Sequence, residues 1–194
     1  MSRFMDKISA DLNAAGYKKN SMKARNWLRD NIKNLNPGGL RSSLRQTQKN
    51  LKPGHVIGRM FFYAYYAKHQ DTLPYWDRFP LVIPIETYED GILGVNLHYL
   101  PPNLRAVLLN KLFEFASDKR YDENTRLKLS YSLLKGLSRM SMFRPCLKRY
   151  LFSQLYSRFI EVPADQWDIA IWLPVEQFVG ASKQEVWKES RGKY

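Results

Sequence analysis

The chain has 194 residues, 44% of them hydrophobic and 14% aromatic, enough for one compact domain with an appendage or for two small domains. No stretch approaches the ~18 consecutive apolar residues of a membrane-spanning helix. Met1–Asp6 shows no apolar signal segment, and one cysteine, Cys146, excludes an internal disulfide and a cysteine-based zinc site. The expected compartment is the cell interior or a particle assembled there. The net charge of +13 is uneven: residues 1–54 hold twelve Lys/Arg against three Asp/Glu, and Asn31–Gln70 and Asn124–Ile160 contain no acid. Such asymmetry fits contact with nucleic acid or another polyanion, and equally a solvated basic surface or one that meets acidic neighbours.

Residues 1–54 read as a basic helical arm and linker. In Arg3–Ala15, Phe4, Ile8 and Leu12 recur one turn apart, with Ser2 as N-cap and Gly16 as stop. Ser21 caps a second helix, Ser21–Leu35, whose stripe is Ala24, Trp27, Leu28, Ile32 and Leu35. Lys23, Arg25, Arg29 and Lys33 lie between the stripe residues, and Arg41 and Arg45 follow in a polar stretch without period. Two readings fit: an amphipathic helix on its own core, or an arm gripping a partner. Helices shorter than about 12–15 residues are marginal alone. The arm is therefore expected to be held by an interface, with Trp27 as anchor and its cations on phosphates or acidic side chains.

A folded region is expected over 55–194. Val56–Tyr66 is rich in aromatic and β-branched residues and predicts a strand. Leu81–Glu86 and Ile92–Leu100 flank the turn Glu89-Asp90-Gly91 and predict a hairpin, its second strand showing Leu93, Val95, Leu97 and Tyr99 on one face and Gly94, Asn96 and His98 on the other. Pro74, Pro80 and Pro84 argue for an edge or interrupted first strand. The aromatics from Phe61 to Phe79 suit core packing better than a platform for stacked bases.

Pro101-Pro102 opens a helix with Leu104, Val107, Leu108, Leu112 and Phe115 on its apolar face. A second helix is predicted from Asp122–Asn124 to Met140. A third is predicted over Pro145–Phe159, where Leu147, Leu151, Leu155 and Phe159 recur every four residues. Arg139, Arg144, Lys148, Arg149 and Arg158 decorate this pair, and helical spacing makes Arg144 and Lys148 neighbours, attractive to an anion or an acidic partner. Phe159–Val162 returns to strand, and Trp167–Leu173 alternates as a late strand that closes a small sheet or partial barrel. Ser182 and Glu185 form a capping box for a last helix anchored by Val186 and Trp187.

The chain carries no recognisable catalytic set. His55, His69 and His98 are not spaced as metal ligands, so each reads as a hydrogen-bonded surface residue. Gly91–Gly94 lacks the form of a phosphate loop. Asp71, Asp77, Glu86 and Asp90 lack the lysine and spacing of a metal-dependent nuclease. Cys146 reads as a packed thiol. No cofactor, no metal and no enzymatic activity are expected.

Three segments carry a resemblance: DTLPYWDRFPLVIPIE, GILGVNLHYLPPNLRAVLL and the late WDIAIWLPVEQF, with VW beyond it. Together they resemble proteins of T-even-like contractile-tailed phages described as DNA end protectors or virion structural proteins. The likeness spans about Val56–Arg191. It implies a protein of the virion, assembled in the host cytoplasm, with other virion proteins and double-stranded DNA as partners, and no membrane. It supplies no catalytic residues. Two functions stay open: a DNA-associated protein that clamps phosphates, and a neck, tail or baseplate subunit that grips its neighbours.

The expected fold is α+β: a small, mostly antiparallel sheet from Val56–Tyr66, Leu81–Glu86, Ile92–Tyr99 and Trp167–Leu173, packed with three helices. The expected core is Phe62, Leu81, Ile83, Val95, Leu97, Leu108, Leu112, Leu134, Leu151 and Ile169.

Overall fold

The structure is a computed structural model that describes residues 3–18, 21–32, 56–116 and 141–191, with Ser132, Leu134 and Gly136. It is α+β. Among the described residues five strands form an open antiparallel sheet. In chain order these are β1 (Met60–Phe62), β3 (Leu81–Tyr88), β4 (Gly91–Asn96), β5 (Leu147–Leu151) and β6 (Ile160–Val162). Their spatial order is β5-β4-β3-β1-β6, so the sheet does not close into a barrel. A separate ribbon pairs β2 (Trp76–Asp77) with β7 (Phe178–Val179). The helices are α1 (Arg3–Ala14), α2 (Met22–Ile32), α3 (Pro102–Ala116), α4 (Trp167–Ala170) and α5 (Lys183–Arg191).

The hairpin is β3–β4, with Ile83 opposite Val95 and Tyr88 opposite Gly91. Pro84 has no N–H for the ladder, and the register shifts between Pro84 and Glu86, the bulge that such a gap invites. The second strand is shorter than its alternation suggested. It ends at Asn96, whose side-chain oxygen accepts the His98 N–H and turns Leu97–Tyr99 into a 3₁₀ turn. The strand expected over Val56–Tyr66 likewise narrows to β1, with Tyr65 in an isolated bridge to Leu155.

Two expectations are overturned. The segment predicted as a helix over Pro145–Phe159 is the end of the 3₁₀ turn Ser141–Cys146, strand β5, a second 3₁₀ turn at Phe152–Gln154 and an irregular stretch that bends at Tyr156 and Ser157. Its leucines recur every four residues, but β4 offers a free ladder edge, and pairing Val95 with Leu147 and Ile92 with Tyr150 buries the tyrosine ring. Arg144 and Lys148 are therefore not helical neighbours. The predicted late strand Trp167–Leu173 is the one-turn helix α4 and a turn, which bury Ile169, Ala170, Ile171 and Leu173 together. The sheet edge that it was to supply is taken by Ile160–Val162, paired with β1. The helix predicted from Asp122 to Met140 lies outside the described residues except Ser132, Leu134 and Gly136, which are helical.

Both faces of the sheet are covered. On one, Met60, Phe62, Leu81, Ile83 and Val95 meet the helices in the main core. On the other, Phe61, Tyr63, Tyr65, Val82, Ile92 and Tyr150 form an aromatic layer. Ile8 and Leu12 of α1, and Ala24 and Leu28 of α2, belong to the main core. Leu28, on the apolar stripe of α2, is 0% exposed within the chain itself, as the reading of an amphipathic helix on its own core has it. The Ser21 hydroxyl accepts the Ala24 N–H at 3.1 Å, the expected cap. Of the expected core, Phe62, Leu81, Ile83, Val95, Leu97, Leu108, Leu134 and Ile169 are buried, Leu151 is half-buried, and the Leu112 side chain lies outside the described set.

The C-terminal box forms as predicted: the Ser182 N–H donates to the Glu185 carboxylate at 2.7 Å and the Glu185 N–H to the Ser182 hydroxyl at 3.3 Å. Val186 and Trp187 are buried. Arg105 of α3, 1% exposed, fastens this end. It donates to the Leu100 and Ile171 carbonyls at 2.8 and 3.0 Å, and the Trp187 indole N–H reaches the His98 carbonyl at 2.8 Å.

Candidate nucleic-acid interface

Behind the 3₁₀ turn lies a buried polar cluster. The Asp77 carboxylate accepts from the His98 ring at 2.8 Å, from the Asn96 amide at 3.1 Å and from the Phe79 N–H at 3.0 Å. Asn96 also donates to the Tyr150 hydroxyl at 2.9 Å. Burial raises the Asp77 pKa, but the His98 charge and hydrogen bond, with the Phe79 and Asn96 donors, outweigh it and hold the carboxyl below its ordinary value. His98, expected at the surface, has a fully buried side chain. Gly94 and Asn96 share a face, toward the aromatic layer and not water; His98 lies beyond the strand end on the 3₁₀ turn, its ring 6.2 Å from Phe62 of the main core. With no solvent access the pair is an internal clamp between β2 and the end of β4.

Beside this cluster a groove of about 330 Å³ opens between the turn Ala67–Tyr75 and β5. Its inner wall is built by Tyr65, Trp76, Asp77, Tyr99 and Tyr150, all buried. Leu73, Tyr75, Leu147 and Leu151 form its sides, and Lys68, His69, Lys148 and Arg149 stand in its lining. Lys68 and His69 are exposed; the His69 carbonyl accepts the Thr72 and Leu73 N–H groups at 3.0 Å, which sets the turn. Alternation along β5 sends neighbouring residues to opposite faces. The Lys148 ammonium lies 4.3 Å from the Tyr99 ring centre. The Arg149 guanidinium covers Tyr88 at 3.9 Å and pairs with Asp90 across the hairpin end. Burial keeps the Tyr65, Tyr99 and Tyr150 hydroxyls protonated by raising their pKa values.

The predicted contact residues divide among several places. Lys148 and Arg149 reach the groove; Arg144 is exposed on the preceding 3₁₀ turn, Ser141–Cys146. Lys23 is exposed on α2, and Trp27 is half-buried against the chain's own core, its ring 6.3 Å from Tyr17. Arg25 and Arg29 lie on α2 with side chains outside the described set, and Lys33, Arg41, Arg45 and Arg139 fall outside the described residues. Sequence reasoning missed Lys68 and His69 as partners of β5. Lys68 sits inside an acid-free stretch, but nothing in the spacing joins it to Lys148. Cys146 is fully buried, and burial pushes its thiol up to about 12, as suits a packed group. Among the described residues no group of three acidic, His or Cys side chains is placed to hold a metal, and no helix is long and apolar enough to cross a membrane.

Residues 1–190 match the family of the phage T4 terminal DNA protecting protein. The chain belongs to that family. The match includes the basic N-terminal segment as well as the residues of the sheet. No curated protein and no solved structure matches the chain.

Proposed function

We propose that this end-protecting family member is a non-enzymatic virion protein that holds a terminus of packaged phage DNA through its phosphates. The observation that carries the reading is the family match over 1–190, joined to a net charge of +13 concentrated in two acid-free stretches. Lysine and arginine displace condensed counterions from a duplex, and this sequence-independent term suits a protein that must bind whatever sequence ends the DNA. The contact set comprises Lys23, Arg25, Arg29, Lys33, Arg41 and Arg45 from the N-terminal segment, and Arg139, Arg144, Lys148 and Arg149 from the second basic stretch. Lys23 and Arg144 project into solvent, which supports their part in it. Trp27 holds the helix that carries Lys23, Arg25 and Arg29 rather than touching DNA itself. Other virion proteins are the remaining partners.

The test is binding of the full chain to an open-ended duplex across a salt series. Log affinity should fall linearly with log salt, with a slope of about −0.9 per phosphate neutralised. Reversing Arg25, Arg29 and Arg45 together should flatten that slope by roughly one unit per lost contact. A salt-insensitive association with other virion proteins, without DNA binding, would favour a neck, tail or baseplate subunit instead.

A further inference from the structure

The groove between the Ala67–Tyr75 turn and β5 is polar in a particular sense. Its inner wall holds a carboxylate, Asp77, among tyrosines that burial keeps neutral; Lys68, His69 and Lys148 stand nearer solvent. Lys68 attracts an anion to the outer end, whereas at the inner end the Asp77 carboxylate is already paired with His98 and adds no free charge. The inner end offers flat aromatic rings and hydroxyls. A fitting ligand is anionic at one end, and flat and capable of hydrogen bonding at the other. Inorganic phosphate and dicarboxylates lack the flat part; a plain aromatic lacks the anion. The volume, about 330 Å³, lies at the lower end of the ~300–1,000 Å³ typical of ligand clefts. That space suits one nucleotide and not a duplex.

We propose that the groove takes one unpaired terminal nucleotide of a DNA end, base inward against the tyrosines and phosphate outward at Lys68, His69 and Lys148. The inference rests on the DNA-terminus reading above and adds to it a site that distinguishes an end from the middle of a duplex. Stacking on aromatic rings is tolerant of sequence, because every base has a π-face. A terminal base pair is the one that opens with a neighbour on one side alone. An uninterrupted duplex has no free nucleotide to offer, so the groove stays unused along its length.

The experiment compares the full chain on two DNAs of equal length at fixed salt. One is a hairpin with a single-nucleotide overhang at its open end; the other is closed at both ends. A 2-aminopurine replaces either the terminal base or an interior one. The open DNA should bind about tenfold more tightly, the order expected from one stacked base, and only the terminal 2-aminopurine should change its emission. Lys68→Glu, on an exposed turn where replacement disturbs no core contact, should bring the ratio of open to closed affinities close to unity. Tyr75→Ala should do the same and abolish the emission change. A free deoxynucleoside monophosphate should displace the terminal base only at concentrations far above that of the DNA; a monophosphate bound as tightly as the end would overturn the assignment to DNA ends. Equal binding of both DNAs, or an end preference that both variants retain, would overturn the groove and leave phosphate binding standing. Failure of the wild-type chain to bind either DNA would remove both readings.

Discussion

Asp77 is the residue on which the ribbon, the hairpin and the groove converge. Its carboxylate satisfies donors from Phe79, Asn96, His98 and the Gln177 N–H, the last at 3.2 Å. Asp77→Asn would keep the shape but turn one oxygen into a donor beside the Asn96 amide and the His98 ring. Breaking a buried pair from one side costs about 3–5 kcal/mol, so this variant should lose stability of that order in urea unfolding. Because the folded-state pKa lies below the ordinary 3.8, the ionised form stabilises the fold above that pH. The contribution is lost as pH falls through the folded value. The wild type should therefore lose stability on acidification below about pH 4, with a steeper slope than Asp77→Asn. None of this was legible in the sequence. Asn96 and His98 alternate with apolar residues, as a solvent-facing row does, but the aromatic layer covers Asn96 and the 3₁₀ turn after the strand carries His98 inward beside Phe62.

At the scale of elements, legibility followed the range of the forces involved. The β3–β4 hairpin, α3, the Ser21 cap and the Ser182–Glu185 box rest on neighbours within a few residues, and all were readable. β5 was not, because its state is decided by a partner strand more than fifty residues earlier, and a four-residue leucine period carries no information about that edge. Gly91 shows how close the partner comes: a Cβ there would stand 2.0 Å from the Tyr150 carbonyl oxygen. Gly91→Ala should therefore part β4 from β5 and cost about 1–3 kcal/mol, visible as faster hydrogen exchange at Arg149–Leu151 than at Phe61. Ala24 and Leu28 carry the period expected of α2, yet the sequence does not say whose core they fill. Leu28→Ala should lower stability of the isolated chain by about 2–5 kcal/mol. A change within a few tenths would mean that α2 packs elsewhere in solution.

For the whole molecule, charge and fold do separate work. The apolar faces of α1 and α2 join the main core, which leaves the exposed Lys23 side of α2 for a partner. The salt series above therefore reads the surface, and the Leu28 variant reads the fold; a stable chain with a flattened slope is the signature of reversed Arg25, Arg29 and Arg45. The groove was not legible in the sequence: its aromatics read as core packing, and its assembly from residues near 70, 100 and 150 leaves no local pattern. The sheet has one further consequence, which concerns synthesis. β1 lies between β3 and β6, and its outer partner, Ile160–Val162, is made a hundred residues later; Arg59 and Glu161, 102 residues apart, join across the same edge. β2 waits longer still, for Phe178. A chain emerging from the ribosome thus carries an unpaired strand edge until most of its length is made, and pairings of such long range form slowly. Chains released before Ile160 should remain open to protease and prone to associate through β1, while the full chain resists digestion, which sets the last 35 residues, from Ile160 on, as the point at which the newborn protein becomes safe from its own copies.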